Sequence, residues 1–191
     1  STSRRQRQMC IRDSSRRVKG KKTDMKKILV VAAHPDDEIL GVGATVAKHA
    51  AQGDEVYALI LGEGQTSRGE HREDISAEVV KELHQNTLES AKKVGYKEVY
   101  FADFPDNRFD QVDLLDVVKA VEHKIKGIQP EIIYTHYSGD LNIDHQYTAR
   151  AVLTATRPIG DYPVKEIYAF ETLSSTEWNL SLIHISEPTR P

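Results

Sequence analysis

The chain has 191 residues, 39% hydrophobic and 29% charged, with a formal net charge of -3, a size that supports one substantial core rather than two. No run approaches the ~18 consecutive apolar residues of a membrane span, and no apolar segment of the secretory kind follows the basic N-terminus, so a cytoplasmic protein without a membrane span is expected. The one cysteine, Cys10, leaves neither a disulfide framework nor a cysteine metal site.

In chain order, the first segment is foreign in character. Arg4 to Asp13 reads Arg-Arg-Gln-Arg-Gln-Met-Cys-Ile-Arg-Asp and resembles translated transposase-type sequencing adapter. At the other end, Leu180 to Arg190 resembles the same adapter in the opposite orientation. Segments of this kind are set aside before fold reasoning. Without them the net charge moves from -3 to about -6, so the basic N-terminus carries no nucleic-acid reading. Met25, followed by two lysines and an apolar run, is the natural start. Residues 1–24 are therefore expected to be non-native or upstream read-through, 25–179 a single domain incomplete at its C-terminus, and 180–191 an adapter-derived tail.

From Met25 onward short apolar runs alternate with longer helical patterns, which predicts an α/β fold, a Rossmann-like three-layer sandwich with a mainly parallel sheet. A first strand, Ile28 to Ala33, is apolar throughout, as befits a central strand covered on both faces. A helix is expected from about Asp37 to Gln52, closed by Gly53, then a second strand, Glu55 to Leu61, and a Gly/Ser/Thr-rich loop, Gly62 to Gly69. An amphipathic helix should span about Glu73 to Val94 and stop at Gly95. A third strand, Glu98 to Phe101, opens onto the polar loop Asp103 to Asp110. A helix from Val112 to Lys126, stopped by Gly127 and Pro130, leads to a fourth strand, Glu131 to Thr135. The loop His136 to Asn142, a helix from Ile143 to Ala155 and a fifth strand, Lys165 to Phe170, complete the pattern.

The residues suited to chemistry all fall after strand C-termini, where open α/β sheets bind ligands. Ala33-His-Pro-Asp-Asp-Glu38 crowds one imidazole and three carboxylates at the mouth of the central strand, a concentration of charge that a divalent cation relieves. His34 and Asp37 can ligate from one turn. His145, at the start of the helix after strand four, is the best third ligand, giving the three-ligand, open arrangement of catalytic zinc. Alone, a His-x-x-Asp at a strand end is more often a capped helix start. Gly41 and Gly43 do not stand in the strand-to-helix turn that a dinucleotide fingerprint requires, and fit close packing of the helix on the sheet instead. His49, His71, His84 and His123 lie in helical or polar segments and are expected to be solvated.

With these residues in place, the sequence resembles the PIG-L/LmbE-like N-deacetylases. Ala33 to Glu38 is similar to that family's first signature and Asp140-Leu-Asn-Ile-Asp-His145 to its second; Pro105 to Phe109, Thr154 to Pro158 and Glu171 to Trp178 extend the likeness over about Met25 to Asn179. The resemblance implies Zn2+ on His34, Asp37 and His145, Asp36 as general base, and removal of the N-acetyl group from an N-acetylglucosamine-type sugar with release of acetate. It also implies that the regions of Arg68 and Asp106 face the sugar, with Asn107 and Arg108 beside them. Many members carry a histidine three residues before the second-motif ligand where this chain has Asn142, which can donate a hydrogen bond but no proton. Proton delivery then falls to Asp36 or to His136, a residue that either lines the site or ends its strand. Asp144 either caps its helix or orients a ligand. The partner is a small N-acetylated sugar, with homo-oligomerisation left open; the rival readings are a different N-acyl substrate and a catalytically silent sugar-binding module.

Overall fold

The computed structural model describes residues 25–64, 76–159 and 163–173. Arg68, His71, Trp178 and both adapter-like ends, with the boundary at Asn179, lie outside the described residues. Among the described residues five strands, β1 (Lys27–Ala32), β2 (Glu55–Gly62), β3 (Glu98–Phe104), β4 (Ile132–His136) and β5 (Glu166–Phe170), form one sheet in the order β3-β2-β1-β4-β5. Every pairing is parallel. Among the described residues, five α-helices accompany them: α1 (Asp37–Leu40), α2 (Gly43–Gln52), α3 (Ala77–Val94), α4 (Leu114–Ile128) and α5 (Ile143–Ala155), with one 3-10 turn at Phe109–Gln111. Among the described residues, no helix is long and apolar enough to cross a membrane.

Alternation along β1 builds the three layers, because successive side chains of a strand point to opposite faces. Leu29, Val31 and Ala33 join Leu59, Leu61, Val117, Val121, Ile125 and Val152 in a core beneath α4 and α5. Ile28 and Val30 join Val46, Val56, Ala58, Ala91 and Tyr96 beneath α2 and α3. The β1 run is thus apolar on both faces because helices cover both. Chain order reverses about β1, which pairs with β2 on one side and β4 on the other. The crevice beyond the C-termini of β1 and β4 is the topological switch point at which such sheets bind ligands.

Three expected elements differ in detail. The helix expected over Asp37 to Gln52 is broken after Leu40, and a second helix starts at Gly43. A Cβ on Gly41 would lie 2.2 Å from the Phe170 ring at the end of β5, so the glycine permits a close approach there, whereas on Gly43 it would meet nothing nearer than 3.5 Å. The helix expected to stop at Gly127 runs through it to Ile128 and ends on Gln129 in the left-handed conformation, φ 57°. The third strand is longer than its apolar run and reaches Phe104. Of the histidines expected to be solvated, His123 is exposed. His49, by contrast, bridges Asp54 Oδ2 at 2.8 Å and the Tyr134 hydroxyl at 3.0 Å, and His84 stacks on Phe101 at 3.9 Å.

Candidate metal centre

The turn after β1 delivers His34 and Asp36, the first residue of α1 is Asp37, and the N-terminus of α5 delivers Asp144 and His145. Three atoms meet between them. His34 Nδ1 lies 3.3 Å from Asp37 Oδ2, His145 Nε2 lies 3.3 Å from the same oxygen, and the two nitrogens are 3.3 Å apart. These separations are long for good N–H···O bonds. They equal the edge of a tetrahedron, about 3.3–3.4 Å, whose centre stands at the usual zinc distance of about 2.0–2.1 Å from each ligand. The side chains are nearly buried, at 13%, 4% and 3% exposure for His34, Asp37 and His145. The donor set therefore fits a tetrahedral divalent cation with one position left open.

The second nitrogen of each histidine is held by a carboxylate. His34 Nε2 lies 3.0 Å from Asp144 Oδ2 and 3.2 Å from Asp106 Oδ1, while His145 Nδ1 lies 3.1 Å from Asp140 Oδ2. Carboxylates so placed fix ring orientation and tautomer and make the ligating nitrogen a stronger donor. Asp144 is wholly buried and also accepts the Asn107 N–H at 2.7 Å and the Phe109 N–H at 3.0 Å. One carboxylate thus orients His34 and pins the loop after β3, in which Asn107 takes the left-handed conformation at φ 51°. Of the two roles the sequence leaves open for Asp144, its contacts to His34 and to the loop after β3 match the orienting one. Helix capping is done by Asn142, whose Oδ1 accepts the Asp144 N–H at 2.8 Å and whose Nδ2 donates to Asn107 Oδ1 at 3.2 Å. These bonds engage both ends of the Asn142 amide in structure.

Burial and charge act against each other throughout the cluster. Burial lowers the His34 pKa, but the Asp144, Asp37 and Asp106 carboxylates prevail and raise it to about 10. His145 moves the same way: burial lowers it and Asp37 and Asp140 raise it further. Burial would raise Asp37, yet His136, His145 and His34 hold it well below the ordinary carboxylate range. Burial lowers His136 against the pull of Asp37. His136 is 1% exposed, accepts the Ala33 N–H on Nε2 at 2.9 Å, stacks on His145 and meets the Phe170 ring at a tilt. It ends β4 and packs on the His145 ring, away from solvent. Asp106, also expected to face the sugar, is 4% exposed and turned toward His34. Asn107 is exposed and Arg108 half-buried in the same loop.

Asp36 is exposed while Pro35, Asp37 and Glu38 around it are buried. Its backbone stands at φ 124°, ψ -32°, outside every region favoured by residues other than glycine. Glu38, 1% exposed, receives the Asp36 N–H on Oε2 at 2.9 Å. Burial pushes the Glu38 carboxyl up to about 7 despite the backbone N–H groups it accepts. Sequence reasoning gave Asp140 and Glu38 no role. Both stand inside the two quoted motifs, but their contacts exist only after folding.

The sequence model of the family described as PIG-L, GlcNAc-PI de-N-acetylase, matches residues 29–156. The chain is 29% identical to the Escherichia coli K12 protein named uncharacterized deacetylase YaiS over 155 residues, 78% of this chain and 76% of that protein. It is 30% identical to diacetylchitobiose deacetylase of Thermococcus kodakarensis over 111 residues, 58% of this chain and 40% of that one. Among solved structures, the conserved protein TT1542 of Thermus thermophilus has a TM-score of 0.62 at 23% identity, covering 77% of this chain and 66% of that one. GalB, the 4-carboxy-2-hydroxymuconate hydratase of Pseudomonas putida, has a TM-score of 0.58 at 26% identity, covering 69% and 56%. The chain thus spans about three quarters of the E. coli relative and two thirds or less of the other three.

Proposed function

The chain belongs to the PIG-L family of GlcNAc-PI de-N-acetylases, and from that premise we propose that it is a zinc-dependent hydrolase that removes the acetyl group from an N-acetylglucosamine-type sugar. The observation that carries this reading is the equilateral donor set of His34, Asp37 and His145 with the exposed carboxylate of Asp36 next to it in the chain. A zinc ion in that set supplies Lewis-acid activation of a water and of an amide carbonyl.

The chain's own residues supply the remaining work. Asp144 and Asp140 hold the two imidazoles in the ligating tautomer. Asp36, which is not a member of the ligand set, takes the proton of the attacking water as general base. The water oxygen bonds to the acetyl carbon, the C–N bond breaks, and the sugar nitrogen leaves as the amine after receiving the proton back from Asp36. Acetate is the other product. With the Asn142 amide engaged in capping α5, Asp36 is assigned both halves of the proton transfer. Asn107 and Arg108, on the loop that Asp144 pins beside His34, are assigned to the sugar hydroxyls, with Arg68 as a further sugar contact.

The likeness to a hydratase at 26% identity supports a second reading, addition of water to a carbon–carbon double bond by the same donor set. Zinc-loaded protein offered a panel of N-acetylglucosaminides and, separately, unsaturated hydroxy-tricarboxylates decides between them. The first reading expects amine release that chelator and Asp36→Asn abolish. Hydration without any amine release would replace it.

A further inference from the structure

Four residues other than glycine have positive φ among the described residues: Asp36 at 124°, Asp103 at 55°, Asn107 at 51° and Gln129 at 57°. The last three lie at the left-handed minimum, which Asp and Asn visit at little cost. Asp36 does not. A residue in such a conformation costs about 1–3 kcal/mol and persists only where its surroundings over-determine it. The surroundings of Asp36 are specific. Its carbonyl accepts the N–H groups of Ile39 and Leu40, both at 2.9 Å, and its own N–H donates to the Glu38 carboxylate at 2.9 Å. Glu38 is fixed in turn, because its side chain is buried and its carbonyl receives the Tyr96 hydroxyl from the end of α3 at 2.8 Å. On the other side Pro35 packs against Gly64, where a Cβ would stand 2.9 Å from the proline ring.

We infer that Glu38 is a positioning residue that acts through Asp36: its buried carboxylate clamps the Asp36 amide in a strained turn, so that Asp37 faces inward to the ligand set while Asp36 stays outward for proton transfer. The burial sequence carries this, since Pro35, Asp37 and Glu38 are buried and Asp36 alone is exposed. Without the acceptor on Glu38, the turn relaxes toward an ordinary helical start and Asp36 rotates from its place. What the clamp requires is a hydrogen-bond acceptor at that point and not a negative charge. The inference rests on the proposed role of Asp36, but the clamp itself is measurable without turnover.

Two substitutions of similar volume separate acceptor from charge. Glu38→Gln keeps an oxygen for the Asp36 N–H; Glu38→Met fills the space and keeps none. Hydrogen exchange at the Asp36 amide, read site by site, reports the clamp with or without activity. The expected result is slow exchange in the parent and in Glu38→Gln, and exchange at least about tenfold faster in Glu38→Met. In zinc-loaded protein, kcat should follow, within about threefold of the parent for Gln and about a hundredfold lower for Met, with KM and zinc content unchanged, an effect of the size that general-base catalysis supplies. A folded, zinc-loaded Glu38→Gln that loses protection or most of its kcat would overturn the inference, and that variant carries the test by itself should the Met variant not fold. A Met variant that keeps both would overturn it equally. A parent with a protected amide and no amine release would count against the deacetylase reading and leave the clamp standing.

Discussion

Replacing Asp144 by asparagine tests whether the centre is built by its carboxylates as much as by its ligands. Asp144 is fully buried and receives three donors: the Asn107 N–H at 2.7 Å, the Phe109 N–H at 3.0 Å and His34 Nε2 at 3.0 Å. A carboxylate has only acceptors to offer, so all three bonds are satisfied at once. An amide of the same shape must turn its NH2 toward at least one donor and leave that donor unsatisfied. Hydrogen bonds to a buried charge contribute about 1.5–3 kcal/mol, and an orphaned buried donor costs about 1–3 kcal/mol. A net loss of about 2–4 kcal/mol in the metal-free protein follows, a drop in Tm on the order of 10 °C for a domain of this size. Zinc affinity should fall about 10- to 100-fold, because the second nitrogen of His34 loses the partner that fixes its tautomer. Thermal unfolding in chelator and competition against a chromophoric zinc chelator measure the two quantities. Parental zinc affinity together with parental Tm in Asp144→Asn would refute the reasoning.

Other consequences follow from the same geometry. In the metal-free protein His34 is raised from 6.5 to about 10, so the stability it contributes is complete below pH 6.5 and is lost as pH rises through 10. Zinc must displace that proton, so its apparent affinity should rise by up to about tenfold per pH unit between pH 7 and 9, read by calorimetry in buffers of different ionisation enthalpy; a pH-independent affinity would mean the nitrogen is already free. Asp36→Gly should raise stability by about 1–3 kcal/mol by relieving φ 124°, while abolishing amine release; a less stable glycine variant would show that the conformation is not strained. Gly41→Ala drives a methyl into the Phe170 ring, 2.2 Å away, and that ring packs on His136 beneath His145. A loss of about 1–3 kcal/mol with weakened zinc binding is expected, and an unchanged melting curve would argue against the close contact.

The strands were legible because their burial is written as continuous apolar runs. The Ile28 to Ala33 run predicts the central strand, and burial of both its faces in separate cores is the reason. What misled was punctuation by glycine. Gly127 sits mid-helix without steric consequence, a Cβ there meeting nothing within 4 Å, whereas Gly41, itself in the helical conformation, leaves room for a phenylalanine 129 residues further along the chain. No local pattern carries that distance. The candidate ligands were legible because the two short motifs hold them at strand ends. The supporting residues were not, since His136 and Asp106 read as polar loop residues and only the folded chain turns them inward. Asp144 and Asp140 cross over, the first serving His34 from the other segment and the second serving its own neighbour His145. Spacing in one dimension does not distinguish those two assignments.

Zinc stoichiometry in the parent and in His34→Ala, Asp37→Ala and His145→Ala, measured beside amine release from an N-acetylglucosaminide, tests the central claim most directly. One zinc per chain, removed by each substitution together with amine release, is the predicted result. A parent that binds no zinc, or three variants that bind it as the parent does, would contradict the assignment of His34, Asp37 and His145 as the metal centre.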